Sequence, residues 1–363
     1  MKILALGHSI AHYRQRSLWQ WIASQGHKVD TIVMPSYRDE VYENINKDSF
    51  TQNLMAPVNS AISNMWFFPH LHEAVFHMKP DIIMAVQEPW TYATYHALNV
   101  AKAFDIPFGF FSWENIPKTF PEPFRYFEHK ACGDSDFIIG GNVDAAEVLA
   151  RKGARNVFVL PQTGLDPNLF TPHPKLMVED KGKQPRHILF VGRLTEAKGI
   201  RTILNAVDLM KTDYILRFVG GRGELEGLIR SHPEFGKKIT IEPWMDYEKL
   251  PDIYNWADVS LMPSVDTPEW IEQMGYVVGE SLLCHVPVIT SASKSIAELW
   301  NMPGVYFNAQ GDAGGLSDLL DSDNLYTNGA AAKGRQAVID TYSVAKIGEH
   351  YINVFKKVLK IGD

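Results

Sequence analysis

Glu272 and Glu280 flank the seven residues QMGYVVG, just ahead of the apolar run that ends in HVPVIT. On one continuous helix this spacing turns through about 800°, so the two carboxylates would stand roughly 80° out of phase and share no line. Gly275 lies between them and offers another arrangement. Glu272 sits in a loop, a helix starts near Gly275, and Glu280 lies more than a turn into it. The amides of Met274, Gly275 and Tyr276 then point at an anion. Each carboxylate can accept hydrogen bonds from hydroxyls on a different part of one ligand. That chemistry suits an anion between two sugar-like rings. Taken singly, either glutamate reads as a solvated surface residue.

A second cluster, this one basic, lies upstream in ILFVGRLTEAKGI. A strand over Ile188–Val191 ends at Gly192, followed by Arg193, Lys198, Gly199 and a helix. Glycine lets a ligand approach the backbone, arginine offers a planar fork for phosphate oxygens, and lysine adds a point charge. Two cations between a strand end and a helix start fit a diphosphate. The other reading is a pair of solvent-facing cations in a surface loop.

These groups need elements to hold them. KILALG, a helix over RQRSLWQWIASQGH and KVDTIVM form a β-α-β unit. The rhythm returns through TYATYHALNVAKAFDIPFGFFS to DAAEVLARKGARNVFVLP. It breaks at the polar stretch MVEDKGKQPR and restarts with HILFVGRLTEAKGIRTILNAVDLM, YILRFVGG, KITIEPW, ADVSLMPS and VPVITS. Continuous apolar strands alternating with helices indicate parallel sheets covered on both faces. The expected fold class is α/β, with two Rossmann-like doubly wound domains facing a central cleft. The expected division is a first domain over residues 1–170, a linker over 171–186, a second domain over 187–342, and a terminal amphipathic helix over 343–363. Ligands of such sheets sit beyond the carboxyl ends of the strands.

Composition narrows the classes. The chain has 363 residues, enough for two cores, with 45% hydrophobic and 21% charged residues. Its net charge of −7 supplies no basic field for nucleic acid. The two cysteines, Cys132 and Cys284, have no Cys-x-x-Cys partner spacing and fit a reducing cytoplasm. No run approaches the roughly 20 apolar residues of a spanning helix, and the N-terminal apolar run is too short for a secretory signal. The expected location is cytoplasmic, with peripheral contact at the inner face of the membrane left open.

VGRLTEAKG followed by PSVDTPEWIEQMGYVVGESLLCHVPVITSASKSIAEL resembles the donor half of the retaining GT-B glycosyltransferases, glycosyltransferase family 4. The family hallmark, E-x7-E, stands here as Glu272-Gln273-Met274-Gly275 through Glu280-Ser281. The resemblance is strong over residues 188–300 and looser before residue 120. It implies that Arg193 and Lys198 bind the donor diphosphate, Glu280 the nucleotide ribose and Glu272 the transferred sugar. It implies phosphate and sugar contacts from Met274, Gly275 and Tyr276, with Gly192, Gly220 and Gly221 near the nucleotide. It also implies metal-independent, retaining transfer with no cofactor, from a nucleoside diphosphate sugar to a glycan or lipid-linked acceptor. Cell-surface polysaccharide or glycolipid synthesis would be the setting. Glu272 would stabilise and position rather than act as nucleophile.

Departures bear on the acceptor side. Many relatives carry a histidine after the fifth strand of the first domain. Here that place reads Ser112-Trp113-Glu114-Asn115. Glu88 and Glu114 are the substitutes expected to position an acceptor, together with Gly7, His8 and His12 of the first loop. The missing histidine leaves a rival reading, a non-catalytic nucleotide-sugar-binding protein of the same fold. Asp134–Asp136 and Asp321–Asp323 imitate a metal-binding Asp-x-Asp, but one opens a strand and the other falls in a late polar loop, so no metal site is expected. Trp66, Phe67 and Phe68 are read as core, with an acceptor or membrane patch as the alternative. The base, the sugar, the acceptor and the oligomeric state are not named by the sequence.

Overall fold

The computed structural model describes every residue except 38–39, 59–63, 174–184, 222, 328 and 363. Most of the expected linker therefore lies outside the described residues. The chain divides into two compact units, Met1–Gly164 with Val344–Asp363, and Leu165–Ser343. The first unit thus ends six residues before the expected position 170, and the terminal helix belongs to it.

The first unit runs β1 (Lys2–Leu6), α1 (Tyr13–Ser24), β2 (Lys28–Val33), β3 (Ser36–Tyr37), β4 (Glu40–Val41), β5 (Ile45–Lys47), β6 (Phe50–Leu54), α2 (Leu71–Met78), β7 (Ile82–Ala85), α3 (Tyr92–Ala103), β8 (Phe108–Ser112), α4 (Phe124–Asp134), β9 (Phe137–Gly140), α5 (Val143–Arg151) and β10 (Val157–Val159). Its main sheet has the order β10-β9-β8-β7-β1-β2-β6-β5. All pairings in it are parallel except β5 with β6. Every residue of β7, β8 and β9 is buried, as strands covered on both faces must be. Phe68 is buried in this core with the half-buried Trp66 packed against it, while the half-buried Phe67 meets Tyr92 and His96.

The second unit runs β11 (Arg186–Val191), α6 (Ile200–Leu209), β12 (Tyr214–Gly220), α7 (Glu226–Arg230), β13 (Ile239–Pro243), α8 (Leu250–Trp256), β14 (Val259–Met262), α9 (Tyr276–Leu283), β15 (Val288–Ser291), α10 (Lys294–Leu299), β16 (Val305–Asn308), α11 (Ala313–Asp321), α12 (Asp323–Thr327) and α13 (Ala330–Tyr342). Its sheet has the order β13-β12-β11-β14-β15-β16, parallel throughout. The final helix, α14 (Val344–Leu359), returns to the first unit.

Both sheets are doubly wound, so each has one place where the strand order reverses. In the first it lies between β1 and β7, and in the second between β11 and β14. Connections from the two strands leave on opposite faces there, and a crevice opens at their carboxyl ends.

The α14 helix is strongly amphipathic and is held by aromatic packing. Tyr351 meets Trp19 of α1 edge-on at 6.1 Å, and Phe355 meets Phe137 of β9 at 5.8 Å. The Tyr351 hydroxyl donates to the Pro161 carbonyl at 3.2 Å. Close approach to α1 requires Gly348, because a Cβ there would stand 2.1 Å from the Trp21 ring. Phe355→Ala removes a fully buried ring, at a cost of about 3–5 kcal/mol. The first unit's melting temperature should fall by about 6–20 °C, whereas Lys360→Ala on the exposed end should leave it unmoved in the same thermal scan.

Candidate active site

The second unit's crevice is built by two loops. The loop after β11 leaves Val191 through Gly192 and Arg193, then tightens into a short 3-10 turn over Glu196–Lys198. Gly199 closes that turn with a φ of 72°, in the left-handed region. A Cβ at Gly199 would stand 1.9 Å from the Pro263 carbonyl oxygen, so the position takes only glycine. The loop after β14 runs from Pro263 to Gly275 and is tied to the first by the Val265 amide, which donates to the Ala197 carbonyl at 2.9 Å.

That tie brings Lys198 to Glu272. The Lys198 Nζ donates to Glu272 Oε2 at 2.5 Å, and the Ser264 hydroxyl donates to the same oxygen at 3.0 Å. The ammonium also lies 4.5 Å from the centre of the Trp270 ring, a cation–π contact that holds it from another side. Trp270 is itself fixed in a tight turn, its amide donating to Thr267 Oγ1 at 3.0 Å. Arg193, one residue past Gly192, is exposed and makes no ion pair among the described residues.

Glu272 lies in the loop, and α9 starts at Tyr276 with Gly275 as its N-cap in the left-handed conformation. No side chain caps this end. The Met274 side chain is buried, and its carbonyl accepts from Trp300 Nε1 at 2.5 Å. Only the backbone of Met274 is therefore placed to meet a ligand. Glu280 is buried within α9, at 1% exposure. Its Oε1 accepts from the Tyr247 hydroxyl at 3.0 Å and its Oε2 from the Tyr254 hydroxyl at 2.8 Å. Gly192 and Gly220 end adjacent strands so closely that a Cβ on Gly220 would stand 2.4 Å from the Gly192 oxygen. Gly221 follows at the same edge, beside Pro243.

The first unit has its own cluster where β1 and β7 diverge. His8 Nδ1 pairs with Gln87 Oε1 at 2.7 Å, joining the two strand-end loops. Next to Gln87, Glu88 accepts from the Ser112 hydroxyl at 2.6 Å and the Trp113 amide at 2.8 Å. Glu88 keeps some contact with solvent, yet burial pushes its carboxyl up to about 7. The hydrogen bonds from Ser112 and Trp113 oppose that rise, and the charge of Glu114 adds to it. Gly7 lies against the Val86 carbonyl, where a Cβ would stand at 2.6 Å.

Not every expected residue joins a cluster. His12 stacks edge-on with Tyr42 at 5.8 Å and sits at the start of α1. Glu114 pairs with Lys118 at 2.9 Å. The Asp-x-Asp lures are structural. Asp134 pairs with Lys102 at 2.7 Å and Asp136 accepts from the Phe108 amide at 2.9 Å. Asp321 accepts from the Lys211 and Thr212 amides, and Asp323 pairs with Arg186. Asp321 and Asp323 end α11 and begin α12 rather than lying in a loop. Among the described residues, no group of three or more His, Cys, Asp or Glu side chains could hold a metal ion. Both cysteines are buried, and neither is in a disulfide.

Trp270, Ser264, Tyr247 and Tyr254 were not singled out from the sequence. A signal existed for the tyrosines. They stand seven residues apart, two helical turns, just ahead of β14, one of the two strands that border the crevice.

Residues 185–321, within the second unit, match the family model described as glycosyl transferases group 1. The whole chain superposes on sucrose-phosphate synthase from Thermosynechococcus elongatus with a TM-score of 0.76 at 16% identity, covering 100% of both chains. This is a GT-B-fold relative of the group 1 glycosyltransferases. It also superposes on the Anabaena protein HepE, solved in complex with UDP and glucose, with a TM-score of 0.73 at 15% identity, covering 98% of this chain and 100% of that one. In sequence it is 27% identical over 168 residues to the amylovoran biosynthesis glycosyltransferase AmsK of Erwinia amylovora, covering 43% of this chain and 39% of that one. The chain spans about half the length of the curated relatives it matches, 47% and 45% in two of them. No helix among the described residues is long and apolar enough to cross a membrane.

Glu88 makes stability depend on pH. Its folded pKa of about 7 lies above its unfolded value near 4.5, so the native state binds the extra proton between those values. The contribution is complete below about pH 4.5 and is lost as pH rises through 7, an effect of about 1–2 kcal/mol for a partly solvated group. Thermal melts from pH 5 to 8 should show wild type losing stability relative to Glu88→Gln. A gap that stays constant across that range would rule the assignment out.

Proposed function

We propose that this protein transfers a sugar, with retention, from a nucleoside diphosphate sugar to a hydroxyl of a glycan or lipid-linked acceptor. The observation that carries the reading is the grouping at the β11/β14 crevice. An exposed Arg193, a lysine held against Glu272 and an uncapped helix start converge at one topological switch point. Arg193, Lys198 and the α9 start take the diphosphate and stabilise its charge as it leaves, the work a divalent ion does elsewhere. Glu272 takes hydroxyls of the transferred sugar, and Glu280 takes the ribose. Gly192, Gly220 and Gly221 leave room for the nucleotide beside the backbone. The relative bound to UDP and glucose supports a donor of this class.

We assign the acceptor to the strand ends of the first unit, where Gly7, His8 and Glu88 lie together. Glu88 carries a carboxyl poised to exchange a proton near neutral pH, which suits a group that orients a hydroxyl. Glu114 borders this group, its amide donating to the Ser112 hydroxyl at 3.1 Å, and His12 with Glu114 takes a lesser part. The name of the Erwinia relative supports a setting in cell-surface polysaccharide or glycolipid synthesis. Two buried cysteines outside any disulfide fit the cytoplasm, with peripheral contact at the inner membrane face where the acceptor is lipid-linked.

Thermal melting with UDP, GDP, ADP and dTDP tests the donor site. A ligand at 100-fold over its dissociation constant adds about 2.7 kcal/mol, a shift of a few degrees. One nucleotide should raise the wild-type melt and not that of Arg193→Ala, Lys198→Ala. No shift from any of them would reduce the likeness to one of fold alone. The absence of a first-unit histidine at Ser112–Asn115 favours the second reading, a non-catalytic nucleotide-sugar binder. Donor turnover separates the two. Sugar transfer or slow donor hydrolysis, lost in Glu272→Ala with nucleotide binding retained, is expected of the enzyme. A wild type that binds but never turns over donor is expected of the binder.

A further inference from the structure

The loop after β8 holds both oxygens of Glu88, Oε2 through the Ser112 hydroxyl and Oε1 through the Trp113 amide. What fixes that loop lies further off. The Trp113 indole Nε1 donates to Gln162 Oε1 at 3.1 Å, and Gln15 Nε2 of α1 donates to the same oxygen at 2.8 Å. An indole nitrogen can only donate, so the Gln162 atom facing it is the oxygen, and the Gln15 atom facing that oxygen is the nitrogen. The tryptophan thus sets the orientation of both side-chain amides.

Packing fixes the rest of the indole. It lies on Gly141, just past β9, where a Cβ would stand 2.1 Å from the ring, and Phe111 meets it edge-on at 5.1 Å. Gln162 is anchored from the other side. It sits in the loop after β10, where the Thr163 hydroxyl donates to the Arg14 carbonyl of α1 at 2.9 Å. The Tyr351 hydroxyl of α14 lies 3.2 Å from the Pro161 carbonyl and 3.4 Å from that of Gln162. Two helices, α1 and α14, therefore hold the residue that holds Trp113. Gln15 is buried, and Gln162 and Trp113 are half-buried, which limits competition from water for these bonds.

Donors on a carboxylate favour its charged form, while burial favours the neutral one. At Glu88 the two effects oppose each other, so its state depends on how well the Trp113 amide is held. The charged groups acting on Glu88 are Glu114 from the same loop and Lys152 just past α5, itself paired with Glu128 of α4. The Cys132 thiol of α4 is pushed up to about 12 by burial and stays neutral.

We propose that Gln162 and Trp113 are positioning residues for the transfer reaction, their side-chain bond holding the loop after β8 so that the Trp113 amide keeps the Glu88 carboxyl turned for an acceptor hydroxyl. The inference rests on the acceptor reading of Glu88 above and adds to it the residues that set the orientation and charge of that carboxyl.

The test needs no substrate. Wild type, Gln162→Leu, Trp113→Phe and the double variant are each melted beside the same chain carrying Glu88→Gln, from about pH 5 to 9. In wild type the stability gap within the pair is lost as pH rises through about 7. In either single variant the loss should come about one pH unit higher, because the charged carboxyl has a weaker donor. The double variant should move it no further, since both changes cut one bond. If Trp113→Phe folds poorly, Gln162→Leu carries the test. A variant that melts lower but loses its gap at the wild-type pH has lost packing alone, which overturns the proposal. Shifts that add in the double variant overturn it too, because the two residues then act separately. Sugar transfer left unimpaired by Glu88→Gln would overturn the acceptor reading even where the gap moves, so the two failures are told apart.

Discussion

The ion pair between Lys198 and Glu272 organises the second unit's crevice. Its partners come from the loops after β11 and β14, which are neighbours in the sheet and far apart in the chain. Bringing two charges together in a partly buried place costs desolvation that the pair alone does not recover. The structure offsets this with the Ser264 hydroxyl on the glutamate and the Trp270 ring on the lysine. Gly199 lets the first loop press against Pro263, and the Val265 amide locks the two loops together. Each of these features has a local reason once the pair is taken as the constraint. Because the proposed function gives the diphosphate to Lys198 and sugar hydroxyls to Glu272, we infer that an arriving diphosphate competes with Glu272 for the lysine and releases Glu272 toward those hydroxyls.

The two units solve the same problem with different chemistry. Each has a sheet, parallel but for β5 in the first, whose strand order reverses once, and each places polar side chains at the carboxyl ends of the two diverging strands. In the second unit these are cations, an acid and a helix start. In the first they are His8 with Gln87, and Glu88 held by Ser112 and Trp113. The first cluster has little net charge to offer and a carboxyl near its neutral form, which suits a neutral hydroxylated ligand better than a phosphate.

Much of the fold was legible because strands covered on both faces must be apolar throughout, so FGFFS and VSLM announce themselves. The loop placement of Glu272 and the helix start at Gly275 were legible from one glycine and the helical repeat. The short ribbon β5–β6 was not. INK and FTQNL carry no clear alternation, and β6 is fixed by its pairing with β2 rather than by its own composition. The tyrosines on Glu280, and Trp270 over Lys198, escaped notice for a related reason. Their partners lie 26 to 72 residues away, and only the packed sheet brings them near. Glu114 and His12, also expected on the acceptor side, have partners in Lys118 and Tyr42.

The competition between Glu272 and a diphosphate for Lys198 is most directly measured by calorimetric titration of the stabilising nucleoside diphosphate, without its sugar, into wild type and Glu272→Gln. Removing the glutamate charge frees the lysine and relieves repulsion of the incoming phosphates, so the variant should bind the nucleotide about three- to tenfold more tightly, a gain of about 1 kcal/mol. A variant that binds it more weakly than wild type would contradict the account, because Glu272 would then be holding Lys198 in place for the phosphates rather than competing with them.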